Sequence, residues 1–208
     1  MRSGRLASCA VWTLLLFVLW TWGCRLTDGG PFGGAGTGTT AEGAPAVARA
    51  APLSGDPAPT LLEIDAIGVR AAIVPRGLDA AGGVAPPPLD TPDAVGWYAA
   101  GPTPGAAGAA VLVGHLDTAT DPAVFHDLGS VEPGTRARIT REDGSTAEFT
   151  VSDTEVVEHA DFDAHRVYGP HEDGAAELRL ITCGGDYDHE TGGYSANVVV
   201  SARLTGTG

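Results

Sequence analysis

From Thr60 onward the apolar residues of this chain come in short runs, each closed by glycine, proline or a polar turn, with no sustained helical period. Leu61-Leu62-Glu63-Ile64 is the first run; Val69 to Val74 is the second, closed by Pro75. Gly96-Trp97-Tyr98 leads into a Gly/Pro loop from Gly101 to Gly108, and Ala109 to Val113 reads as a fully apolar strand. Asp121 to Leu128 offers a helical turn or two, with Pro122 near its start. Thr135 to Thr140 sets Arg136 and Arg138 against Ala137 and Ile139. Asp143-Gly144 is a hairpin signal, and the return strand sets Ala147, Phe149 and Val151 against Thr146, Glu148 and Thr150, ending at Val156. The polar stretch up to Glu177 reads as a long connection, and strands over Leu178 to Cys183 and Asn197 to Leu204 complete the set. This pattern predicts an all-β fold, a closed barrel of about eight strands with short helical turns.

Three segments are expected: a membrane anchor over residues 1–25, a linker over 26–59 and the folded domain over 60–206. Leu6 to Cys24 carries no charge, and its 19 residues follow Arg2 and Arg5. As a helix they would span roughly 28 Å, close to the hydrocarbon thickness of a bilayer. Trp20 and Trp22 sit where an interfacial belt belongs, and the leading positive charges place the N-terminus inside. No small-x-small cleavage site follows the run, and no Leu-small-small triplet precedes Cys24, so an uncleaved anchor is expected over a signal peptide or a lipoprotein. Leu26 to Pro59 is Gly, Ala, Thr and Pro with almost no large apolar side chain, the composition of a flexible tether. The expected location is therefore the cell membrane, with a single pass and the folded domain outside.

A net charge of −14, from 26 acids against 12 bases, excludes a nucleic-acid binder that needs a basic face. All 12 bases are arginine, so lysine can serve neither as nucleophile nor as internal amine. Of three cysteines, two lie in the apolar run, which leaves Cys183 without a partner for a disulfide in the domain. No Cys-x-x-Cys or His-x-x-x-His spacing occurs, and neither a metal nor another cofactor is expected.

The chemistry-bearing residues stand at strand exits. Leu178-Arg179-Leu180-Ile181-Thr182-Cys183 alternates, with Leu178, Leu180 and Thr182 on one face and Arg179, Ile181 and Cys183 on the other, and Gly184-Gly185 then breaks the strand. Val111-Leu112-Val113-Gly114-His115 repeats the design with an imidazole at the exit. A lone cysteine is more often a small buried hydrophobe than a nucleophile. A nucleophilic one needs a neighbouring base or cation, because the thiolate attacks. His115 precedes Cys183 by 68 residues, so only the fold can pair them. The other five histidines lie in polar, loop-like contexts, where solvated surface roles are the rule.

Leu-Val-Gly-His115-Leu-Asp-Thr, then Leu-Ile-Thr-Cys183-Gly-Gly-Asp-Tyr-Asp, then Asn197-Val-Val-Val resembles the sortase family, closest to the class F or class E branch of high-GC Gram-positive bacteria. The likeness covers roughly Thr60 to Leu204 and implies an eight-stranded barrel behind an N-terminal anchor. It also implies a cysteine transpeptidase. Cys183 would attack a carbonyl of a Leu-Pro-x-Thr-Gly (LPXTG-type) sorting signal and form a thioester, while His115 acts as general acid and base. An amine of the cell envelope, from a peptidoglycan precursor or a pilin, would then take the acyl group. One position departs from the family: where its members carry an arginine that stabilises the oxyanion, this chain has Ser195. A hydroxyl donates once and without charge, whereas a guanidinium donates as a charged fork. Thr182, Asn197 and Arg179 are the candidates for support. Arg179 shares the Cys183 face but lies roughly 13 Å back along the strand, and a strand arginine there normally faces solvent on the outer barrel surface. The alternative reading is a sortase-fold protein with weak or no turnover that binds sorting peptides or a pilin.

Overall fold

The structure is a computed structural model and describes residues 49–189 and 192–208. The expected anchor over residues 1–25 and the first part of the expected linker lie outside the described residues. Among the described residues no helix is long and apolar enough to cross a membrane.

Eight strands form a closed barrel: β1 (Pro59–Ile64), β2 (Val69–Arg76), β3 (Val95–Tyr98), β4 (Gly108–Val113), β5 (Arg136–Arg141), β6 (Thr146–Glu158), β7 (Ala176–Asp188) and β8 (Gly193–Thr207), in the order β1-β2-β3-β4-β7-β8-β6-β5. Closure leaves no unpaired sheet edge, which suits strands this short. Alternating side chains fill the interior: Leu62, Ile64, Ile139, Phe149, Leu178 and Leu180 have no solvent exposure. Each such side chain contributes about 1.5–3 kcal/mol of burial.

β4 and the first part of β7, residues 176–182, bury both faces. Their interior residues, among them Ala110, Leu112, Leu178 and Leu180, join the barrel core. Their outer residues Val111, Val113 and Ile181 form a second apolar cluster with Val84, Val157, Val167 and Val199. Two connections supply the cover, one between β2 and β3 and one between β6 and β7. The latter is more than the loop its polarity suggests. It holds a 3-10 turn at His159–Asp161 and a one-turn helix α1 (Ala164–Tyr168), whose N-cap Asp163 accepts from the His165 and Arg166 N–H groups and whose Val167 is buried. Such a cover explains why Ala109 to Val113 reads as continuous apolar strand rather than as an alternation.

The structure differs from the sequence reading in several further places. Residues 49–59 lie against the barrel ahead of the expected boundary at Thr60: the Ala50 N–H donates to the Leu204 carbonyl at 3.0 Å, and the Leu53 N–H to the Gly105 carbonyl at 2.8 Å. Buried Arg141 donates to the Gly55 carbonyl at 2.9 Å, a tie that composition could not reveal. β6 runs past Val156 to Glu158 because β8 continues to offer it a ladder, Val157 pairing with Asn197. The helical turn expected from Asp121 is confined to turns and a 3-10 segment at Leu128–Ser130. Gly184-Gly185 does not end β7. The pair forms a bulge, with the register shifting between Gly184 and Tyr187, and the strand continues to Asp188. Gly185 sits at φ 77°, and a Cβ there would lie 2.4 Å from the Ser195 hydroxyl, so only glycine fits the bulge.

Candidate active site

The parallel pairing of β4 with β7 aligns Val113 with Ile181. His115 and Cys183 each follow their aligned residue by two positions, so the topology itself brings the two exits to one end of the barrel. The ladder extends past the strand, with the Gly114 N–H donating to the Ile181 carbonyl at 3.1 Å. Both residues line one cavity of about 550 Å³. Its walls come from the two connections that cover the outer face: Asp79, Ala81 to Val84 and Pro86 on one side, and His159, Phe162, Ala164 and Tyr168 on the other. Phe162 and Tyr168 meet edge to face, with centroids 5.5 Å apart, and stiffen that wall.

His115 is half-buried and held from two directions. Its ring Nε2 lies 2.7 Å from the Pro87 carbonyl, an acceptor only, so the ring proton resides on Nε2 and Nδ1 is the basic nitrogen. Its own carbonyl accepts from the Phe125 N–H at 3.0 Å, which folds the following loop back over the barrel end. Gly114 makes this possible. A Cβ there would lie 2.6 Å from the ring of Phe125, a side chain with no solvent exposure. Gly114→Ala is therefore expected to destabilise the fold by about 1–3 kcal/mol through overpacking. Thermal unfolding checks it, and an unchanged Tm would contradict the packing described.

Cys183 is a free cysteine, exposed at the cavity. Protein atoms on its barrel side displace water from the thiol, and that burial, followed by the negative charge of Asp117, pushes its pKa above the ordinary thiol value. Asn197 is its partner across the β7–β8 ladder and also lines the cavity, as does Thr182, whose buried hydroxyl has no hydrogen-bond partner among the described residues.

The remaining two candidates are not part of the cavity lining. Ser195 Oγ accepts from the Asp186 N–H at 3.1 Å and so caps the bulge that follows Cys183. Arg179 is not the solvent-facing strand arginine expected from the alternation: it is 1% exposed, ion-paired with Glu177, and donates to the Gly169 carbonyl at 2.9 Å. It lies under the β6–β7 connection, committed to holding that connection in place. Among the described residues no arginine lines the cavity. A residue pair that the sequence reading left without a role flanks β7 beyond Cys183, also outside the cavity lining. The Tyr194 hydroxyl donates to Asp117 Oδ2, and this holds the phenol's pKa up at about 12. Asp117 stands two residues after His115, and Tyr194 stands next to Ser195, so proximity to those two was the available signal.

A thiol and an imidazole in one partly enclosed cavity can carry out covalent acyl transfer. The cavity has largely apolar walls, with few polar groups converging on the thiol.

Comparison with known proteins agrees with this fold. The lid mutant of sortase A from Corynebacterium diphtheriae is 22% identical, with a TM-score of 0.55 over 74% of this chain and 73% of that one. Sortase C-1 from Actinomyces oris is 22% identical, with a TM-score of 0.54 over 70% and 73%. The sortase D5 transpeptidase of Clostridium perfringens is 20% identical, with a TM-score of 0.51 over 74% and 82%. No curated protein matches by sequence. The family model described as a sortase domain matches residues 62–205, well over half of the sequence, and on that match the chain belongs to the sortase family.

Proposed function

We propose that this protein is a membrane-anchored cysteine transpeptidase that cleaves a sorting signal of the Leu-Pro-x-Thr-Gly type through a thioester on Cys183 and passes the acyl group to an amine of the cell envelope. The observation that carries this reading is the shared cavity of His115 and Cys183, set in register by the parallel β4–β7 pairing. In the first half-reaction the Cys183 thiolate adds to the scissile carbonyl, and protonated His115 delivers its proton to the departing amine as the C–N bond breaks. In the second, an uncharged amine attacks the thioester, His115 takes the proton released as the new amide forms, and the sulfur leaves as thiolate. The ring proton on Nε2 remains with the Pro87 carbonyl, leaving Nδ1 as the nitrogen that gains and loses the transferred proton. Anchoring through residues 6–24, with the domain outside the cell, fits the charge and length of that run. General anchoring of proteins to the wall is preferred to pilus assembly, because no pilus-specific lid is recognisable before Thr60.

The test is to incubate the protein with Leu-Pro-x-Thr-Gly peptides, x varied, plus an amine, and to look by mass spectrometry for an acyl adduct on Cys183 and an amine-linked product. Both are expected. A second reading, a sortase-fold binder with little turnover, is favoured by the absence of arginine, among the described residues, from the cavity lining. Peptide binding without an adduct would select that reading.

Ser195→Arg measures what the missing guanidinium is worth. The substitution removes the cap on the Asp186 N–H, an exposed group that water can serve, and is expected to raise turnover by about tenfold, a part of what one oxyanion donor usually supplies. A rate that stays level or falls would show that the oxyanion is stabilised without that position.

A further inference from the structure

Asp117 and Tyr194 are joined across the end of β7. Asp117 lies on the loop after β4, Tyr194 lies at the start of β8, and β7 runs between β4 and β8 in the sheet. The hydrogen bond from the Tyr194 hydroxyl to Asp117 Oδ2 therefore clasps the barrel over the stretch of β7 just beyond Cys183. Tyr194 is steadied from behind, since its ring meets Tyr187 edge to face at 5.1 Å, and Tyr187 meets His189 in the same way at 5.0 Å. On the other side, the Asp117 loop is fixed by the Thr118 N–H donating to the Asp121 carbonyl at 2.8 Å and the Ala123 N–H to the Leu116 carbonyl at 3.0 Å. Asp117 is half-buried, and its charge is felt at the Cys183 thiol, so it stands within electrostatic reach of the nucleophile.

A rigidly held carboxylate whose charge reaches a thiol is a poor device for making thiolate, because its charge opposes the second negative charge. The chain has no lysine, and among the described residues no arginine lines the cavity to offset it. The arrangement does suit a cation arriving after the thiol has been acylated, when the sulfur carries no charge. Resting on the transpeptidase reading, we infer that Asp117, oriented by Tyr194, is the docking group for the ammonium of the second substrate and selects acceptors that arrive as cationic primary amines.

The proton balance of the second half-reaction fits this role. The acceptor docks as an ammonium on the Asp117 carboxylate and loses one proton to water before it can attack. The free amine then adds to the thioester, His115 takes the second proton, and the sulfur departs. Docking on a carboxylate concentrates and orients the amine but also makes its ammonium harder to deprotonate. The benefit should therefore show in KM for the acceptor rather than in the limiting rate. Asp117 is a binding and positioning residue in this scheme, and His115 remains the base. The overall charge of −14 steers acceptor cations in the same direction.

The test compares acceptors on the acyl-enzyme formed by the full chain. Triglycine presents a cationic α-amine, Nα-acetyl-lysine amide a cationic side-chain amine, and hydroxylamine is uncharged at neutral pH. The ratio of aminolysis to hydrolysis is read for each, which removes any effect of a variant on acylation. Asp117→Asn is expected to raise KM for a cationic acceptor about tenfold, the usual scale of one lost charge-assisted hydrogen bond, and to leave the hydroxylamine ratio unchanged. Tyr194→Phe should produce the same selective effect at smaller size. Whichever cationic amine shows the larger Asp117 dependence identifies the acceptor source, peptide terminus or side chain. Equal changes for all three nucleophiles, or no change for any, overturn the assignment while leaving the transpeptidase reading standing. Failure of the wild type to form an acyl-enzyme overturns both.

Discussion

Cys183→Ala is expected to abolish both the covalent peptide adduct and the amine-linked product, while the thermal unfolding of the protein should stay within about 1 kcal/mol of the wild type. The separation of the two effects follows from the placement of the side chain. Cys183 is exposed at the cavity rather than packed in either apolar cluster, so removing its sulfur leaves no interior void. His115→Ala should lower turnover by about 10²–10⁴-fold, the range for losing a positioned general acid and base. The thiol adds a pH signature. Burial, and then the charge of Asp117, hold its pKa above the ordinary value of 9.0, so at any given pH less thiolate is present than on a free cysteine. Alkylation of Cys183 by iodoacetamide should therefore still be accelerating at pH 9.0, and Asp117→Asn should move the whole curve to lower pH. A curve that levels off well below pH 9.0 would show that a cation, not a carboxylate, governs the thiol. Taken with the mass spectrometry, the mutants separate three cases: a transpeptidase, a peptide binder, and an enzyme in which a different residue carries the acyl group.

The barrel and the two exits were legible in the sequence because each is a local pattern. Alternation in Leu178 to Cys183, the continuous apolar run of Ala109 to Val113, and the glycine at each exit are all readable within a few residues. What escaped depends on partners far away along the chain. Arg179 and Glu177 alternate with leucine and alanine as solvent-facing charges would, and only the return of the β6–β7 connection turns that outer face into an interior. Gly184-Gly185 reads locally as a strand break. Yet β8 lies close enough to keep the ladder going through a bulge, with Tyr187 pairing with Tyr194 beyond it. The clasp between Asp117 and Tyr194 joins residues 77 positions apart, one on the loop after β4 and the other at the start of β8. The cavity walls at Gly82, Gly83, Phe162 and Tyr168 belong to stretches whose composition says only turn and connection.

Glu177→Leu is the substitution expected to destabilise the fold most. Glu177 is 2% exposed and its carboxylate has three sources of support: the Arg179 guanidinium, the His171 N–H at 3.0 Å and the Glu172 N–H at 2.9 Å. Burial by itself would push the carboxyl pKa up. The Arg179 hydrogen bond, the backbone donors and the Arg179 charge outweigh it and hold the group below the usual carboxylate range. Removing the carboxylate leaves Arg179 charged, 1% exposed and without its counterion, and its Nε already lacks a hydrogen-bond partner among the described residues. Breaking a buried pair from one side costs about 3–5 kcal/mol. For a domain of this size that corresponds to a fall in Tm of roughly 10 °C. The double variant Glu177→Leu with Arg179→Met removes both charges and should recover most of the loss, since an apolar replacement of a buried pair is often neutral. If the double variant is no more stable than the single one, the pair does not act as a unit and the loss has another source. The pH dependence has a fixed sign. Because the folded-state pKa is depressed, the stabilisation from Glu177 is present above the unfolded carboxylate value and disappears as pH falls through the folded one. The wild type should thus lose stability in acid faster than the double variant. The same pair ties down the connection that carries Phe162 and Tyr168, which wall the cavity beside Cys183. Glu177→Leu should therefore also weaken sorting-peptide binding at temperatures where the barrel is still folded, and the double variant should restore it.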